Sequence, residues 1–134
     1  YHHKKEEEHL YAEMSKLNAT AGTMVHGIMS DHDRCHKYML SLENALDLYK
    51  KNKKTEYKLD ILVMAMNYEQ VLRLNNDKES NVVFAFANSG LSADIQGEID
   101  KKCRAIEDDA LIRNARDSQI KVLAGLCKKY GIEG

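Results

Sequence analysis

The stretch LYAEMSKLNATAGTMVHGIM, Leu10 to Met29, decides how this chain is read. Its apolar residues Leu10, Met14, Leu17, Ala21, Met24 and Ile28 are spaced 4, 3, 4, 3, 4. That alternation returns a side chain to one face of a helix at every turn, the seam of a coiled coil or bundle. The register continues through Asp31, Cys35, Tyr38, Leu42, Ala45 and Tyr49, and only Asp31 is ill suited to a dry core. Two arrangements fit. One is a single helix over residues 4–51, roughly 70 Å long at ~1.5 Å per residue. The other is a helical hairpin that turns near Ser30, which with Asp33 beyond it resembles an N-cap followed by an acidic first turn. The single helix is favoured, because the register survives the junction and a tight turn normally resets it. Gly22 and Gly27 weaken such a helix by up to about 1 kcal/mol each relative to Ala.

Outward from this segment, Lys50 to Lys54 is polar and basic and reads as a connection, with Thr55 as a cap. Residues 56–74 read as a helix with a wide buried face, since Ile61, Ala65, Tyr68 and Leu72 repeat at 4, 3, 4. The alternation Tyr57, Leu59, Ile61, Val63 leaves a strand as the competing assignment. Asn75 to Glu79 reads as a polar loop. Residues 81–88 form a short helix ended by Gly90, or a short strand. The last segment, 92–130, starts near Ser92 and places Ile95, Ile99, Cys103, Ile106 and Ala110 on one face. The pattern fails over 113–118, through a stutter or a break capped by Ser118, and resumes with Ile120, Leu123, Cys127 and Tyr130. Gly131 ends it. The expected fold class is all-α: one domain over 1–134, an antiparallel helical bundle of about four segments built on a long heptad-patterned N-terminal helix or helical hairpin.

Composition agrees. The 134 residues contain no proline, where about six are usual at ~5%, and proline is what breaks helix interiors. With 43% hydrophobic and 31% charged residues, the chain is too apolar for a disordered tail. A net charge of -1 favours neither nucleic acid nor acidic membranes as a partner of the whole molecule. Three dispersed cysteines, Cys35, Cys103 and Cys127, argue for reduced thiols and a cytoplasmic, intracellular location. The chain opens on Tyr1, which points to trimming or a longer product, and no signal-peptide core is seen. The longest apolar run, Ile61 to Met66, is far too short to span a bilayer, and no membrane partner is expected.

The chemical motifs are weak. His32 and His36, four apart on one helix, have chelate spacing, but zinc needs three or four ligands in a closed shell. Cys35, beside Asp33, Arg34 and His36, resembles a nucleophile cluster. Adjacent residues on a helix point apart, however, and a small buried hydrophobe is the plainer reading. Lys50, Lys51, Lys53, Lys54 and Lys58 form the strongest local charge and are the candidate contacts to nucleic-acid phosphates. Asn18-Ala19-Thr20 matches a glycosylation acceptor by chance inside the heptad segment, and Asn88-Ser89-Gly90 is a turn signal. Glu107, Asp108 and Asp109 are consecutive on a helix and so make no paired-carboxylate site. No cofactor is expected. The leading expectation is a non-enzymatic interaction or regulatory module that self-associates or docks on a partner protein. Its stripe is Leu10, Met14, Leu17, Met24, Ile28, Cys35, Tyr38, Leu42 and Tyr49. A nucleic-acid-associated protein using the Lys50–Lys58 loop comes second, and a His-based metal-binding bundle third.

Overall fold

A computed structural model describes residues 2–132, and among them the chain is all-α, with five helices and no strand. Helix α1 comprises His2–Lys5, a wider π-helical turn Glu6–Tyr11, and Ala12–Met14. Helix α2 is Ala19–Asn52. Helix α3 starts as Thr55–Lys78, widens into a π-turn at Glu79–Val83, and continues as Phe84–Gly90. Helices α4 and α5 are Ala93–Glu107 and Ala110–Tyr130. The contacts divide the chain into two units. One is Leu10–Leu91; the other joins the described residues up to His9 with those from Ser92 onward.

The heptad register holds where it was read, but the helix boundary moves. No turn occurs at Ser30 and Asp31, and α2 runs through both for 34 residues. Residues 4–51 are nevertheless not one helix. The chain breaks between Met14 and Ala19, where Asn18 adopts an extended backbone and its side chain accepts from the Ala21 N–H at 2.9 Å. Asn is among the strongest N-caps, so the residue passed over as a chance glycosylation match is the helix start.

Lys53 and Lys54 alone connect α2 to α3, and Lys53 takes the left-handed conformation that closes a helix C-terminus, with φ 53° and its N–H on the Tyr49 carbonyl. So short a link forces α2 and α3 to run antiparallel, and they pack along their length. Most seam residues are at least half-buried. Met14, Ala21, Ile28, Asp31, Cys35 and Ala45 are buried, and Leu10, Leu17, Met24, Tyr38, Leu42 and Tyr49 are half-buried.

The expected loop at Asn75 to Glu79 is helical. Val71, Asn75, Glu79, Val83 and Ala87, all buried, recur every fourth residue. In a regular helix each step of four overshoots a full turn by about 40°. The π-turn, where the Phe84 N–H reaches back five residues to the Glu79 carbonyl, takes up part of that drift and keeps the stripe inward. Polarity at Asn75 and Glu79 therefore marked an inward-facing polar pair rather than a loop. Residues 56–74 and 81–88 belong to one rod.

In the other unit, α4 and α5 meet at Asp108 and Asp109, not within 113–118. Asp109 caps α5 by accepting from the Leu111 and Ile112 N–H groups at 2.9 and 3.2 Å. No residue of α5 is fully buried. The irregular apolar spacing over 113–118 thus needs no break, since no buried face enforces a register there. Gly131 ends α5 as expected, with φ 64° and its N–H on the Cys127 carbonyl.

Gly27 sits inside α2, and an added Cβ there meets nothing within 4 Å. Gly27→Ala should therefore stabilise the chain by about 0.5–1 kcal/mol through backbone entropy, read as a higher urea midpoint with unchanged slope.

Candidate functional site

Three helices of the Leu10–Leu91 unit converge on one buried carboxylate. Glu79, at the head of the π-turn in α3, accepts at Oε1 from the Tyr11 hydroxyl at 2.6 Å, and His32 Nε2 of α2 lies 3.2 Å from the same oxygen. Asn75, one turn before Glu79, places Nδ2 3.4 Å from His32 Nε2 and also hydrogen-bonds the carboxylate. The Tyr11 and His32 rings lie 6.0 Å apart, tilted by 39°. Tyr11, His32, Asn75 and Glu79 are 1%, 3%, 0% and 2% exposed. Both π-turns of the chain meet this cluster, one ending at Tyr11 and the other beginning at Glu79. Such widenings re-aim side chains, which is why they recur where geometry matters.

Burial pushes the Glu79 carboxyl upward, but hydrogen bonds from His32, Tyr11 and Asn75, with the charge of a protonated His32, outweigh it. The group is held below the ordinary carboxylate range. At the edge of the cluster, buried Asp31 binds Lys78 Nζ at 2.5 Å and Arg34 Nη1 at 3.2 Å. The residue least suited to the seam is thereby accommodated, through a cross-helix ion pair. Burial and the nearby charges of Asp31 and Glu79 push the Cys35 thiol up, against a smaller pull from Arg34. Cys35 is thus a protonated, buried hydrophobe, unsuited to nucleophilic attack.

A His–carboxylate pair of this kind orients bases in enzymes. Here its members are almost wholly buried, and it links α1, α2 and α3. His36 is exposed while His32 is buried, so the two do not act as a chelating pair. Lys50, Lys51, Lys53, Lys54 and Lys58 are exposed at the α2–α3 turn. Much of this charge is engaged locally. Lys50 pairs with Asp47 at 3.1 Å, Lys54 with Glu56 at 3.4 Å, and the ammoniums of Lys53 and Lys58 lie 5.0 and 5.5 Å from the Tyr49 ring centre. Of the stripe from Leu10 to Tyr49, Met14, Ile28 and Cys35 are buried, while Leu10, Leu17, Met24, Tyr38, Leu42 and Tyr49 are half-buried.

Exposed apolar residues lie on the outside of α3. Leu59, Leu62, Val63 and Met66 are between 40% and 70% exposed. Their i, i+3, i+4, i+7 spacing is that of the anchors by which a helix enters a partner's groove. Sequence reading placed these four in a helix but missed their outward direction, and it missed Tyr11, Asn75 and Glu79 altogether. The available signal was the run of every-fourth positions from Val71 to Ala87, in which two polar residues stand between apolar ones.

A second feature lies in the other unit. A cavity of about 500 Å³ is bounded by α1, the end of α4 and the first turns of α5, including His2, Ile106, Ile112 and Gln119. Its charged wall is self-satisfied, because Lys5 Nζ binds Glu107 directly. That hydrogen bond, then the lysine charge, holds the Glu107 carboxyl below its ordinary range.

Comparison with protein-family models, curated proteins and solved structures finds no match to the chain.

The Glu79 cluster predicts acid sensitivity. Glu79 is more acidic folded than unfolded, so its ionised form favours the fold. That stability is complete above the unfolded value of about 4.3 and is lost as pH falls through the lowered folded value. Glu79→Gln should flatten this acid limb in thermal melts recorded between neutral and acid pH. Tyr11→Phe, which leaves the carboxylate short of one donor, should cost about 1–3 kcal/mol at neutral pH.

Proposed function

We propose that the protein is a non-enzymatic helical interaction module that self-associates or docks on a partner protein through the outer face of α3. The observation that carries this reading is the exposed set Leu59, Leu62, Val63 and Met66. Four large aliphatic residues on successive turns leave apolar surface in water, and contiguous surface of this kind is what helical partners cover. Exposed Met39, Leu40 and Leu46 on α2 add apolar surface to the same hairpin. Methionines suit a surface that repacks on its partner. The burial of the His32–Glu79 pair supports a role without catalysis. The nucleic-acid and metal readings have less support, since the hairpin-turn lysines have local partners and His32 is committed to Glu79.

Sedimentation velocity tests the proposal. The chain should sediment above its 15.3 kDa monomer mass, and Leu62→Asp should weaken the association by at least about ten-fold without lowering helix content by circular dichroism. A monomer at every concentration, unchanged by Leu62→Asp, counts against self-association.

A further inference from the structure

Helix α5 is unlike the α2–α3 hairpin in both exposure and charge. Past Gln119, Ile120, Val122, Leu123, Leu126 and Tyr130 are all between 46% and 64% exposed. At ~100° per residue these side chains sweep an arc of about 160°. Lys129 stands at one edge of that arc and Arg113 at the other, Arg116 projects onto the arc one turn before Ile120, and Asp117, Lys121 and Lys128 occupy the opposite side. The helix carries five cations, Arg113, Arg116, Lys121, Lys128 and Lys129, against one carboxylate, Asp117, in a chain whose net charge is only -1. All five cations are exposed. The near-neutral total thus conceals a strongly basic amphipathic helix.

Two physical points identify what covers this face. The arc is wider than the narrow seam by which helices pair, and its width is that of a helix lying in the plane of a lipid surface. The charge disfavours α5 of a second copy as the occupant, because it brings the same excess of cations to the contact. Anionic headgroups supply the complement, and the long stems of Lys129 and Arg113 at the edges let the apolar arc sink while their charges stay at headgroup level. Among the described residues no helix is long and apolar enough to cross a membrane, so the contact is with the surface alone.

We propose that α5 is an interfacial helix that lays its Ile120–Tyr130 arc on an anionic lipid surface. This face is separate from the α3 surface, and its test is separate too. In co-sedimentation, the full chain should bind phosphatidylcholine vesicles that contain phosphatidylserine and not pure phosphatidylcholine vesicles, with binding falling as salt is added. Leu123→Ser and Leu126→Ser should each weaken binding at least about ten-fold, and Lys129→Ala, at the edge of the arc, about five-fold. These positions are exposed, so circular dichroism should show the variants folded. Leu62→Asp should leave vesicle binding unchanged. The proposal is overturned by no binding to either vesicle, by equal binding to both, or by Leu123→Ser binding as the parent does. It is also overturned if Leu123→Ser abolishes self-association, for then α5 is covered by a second copy.

Discussion

The Leu10–Leu91 unit depends on how one buried carboxylate is satisfied. An isolated ionised carboxylate buried away from water is destabilising by many kcal/mol, and it is tolerated only when donors replace its hydration. Glu79 receives donors from three places in the chain: Tyr11 in α1, His32 in α2 and Asn75 in its own helix. Each donor must sit at one position along its helix, since a shift of a single residue rotates it by about 100° out of the cluster. Apolar packing alone tolerates such slippage more easily, because one aliphatic residue can substitute for another. The polar cluster therefore sets registry, and the apolar seam around it supplies most of the burial.

The two π-turns follow from the same constraint. The inward stripe of α3 advances by fours and drifts around the helix unless a wider turn takes up the excess. In α1 the corresponding widening ends at Tyr11, the residue whose hydroxyl must reach Glu79. Asp31 extends the logic to the margin of the cluster. It interrupts an otherwise apolar seam, and Lys78 crosses from α3 to meet it. Lys78 is itself exposed, so the pair adds little net stability, but separating it leaves the buried Asp31 carboxylate without this partner, which again favours one alignment of the hairpin.

Charge and exposure divide the remaining surface. The outside of α3 combines aliphatic residues with mixed charge, as a protein-binding helix does, while α5 combines a broad apolar arc with an excess of cations. Whole-chain composition averages these away, because the acidic residues of α4 and of the α4–α5 turn offset the basic ones of α5. The cations of the α2–α3 turn, by contrast, are largely engaged by Asp47, Glu56 and the Tyr49 ring.

The all-α class, the heptad seam from Leu10 to Tyr49 and the stop at Gly131 were legible in the residues themselves, because periodicity, missing proline and capping chemistry are local properties. So, in principle, were the caps Asn18 and Asp109, whose short polar side chains compete for the helix N–H groups wherever they stand. The direction of a polar residue was not legible. Asn75 and Glu79 have loop-like composition, and only His32 and Tyr11, 43 and 68 residues away from Asn75 and Glu79 respectively, turn that composition into a buried network. How far the seam of α2 is buried was likewise decided by tertiary structure. Covering it required α3 to continue unbroken from Thr55 to Gly90, and that continuity rests on long-range donors that no local pattern contains.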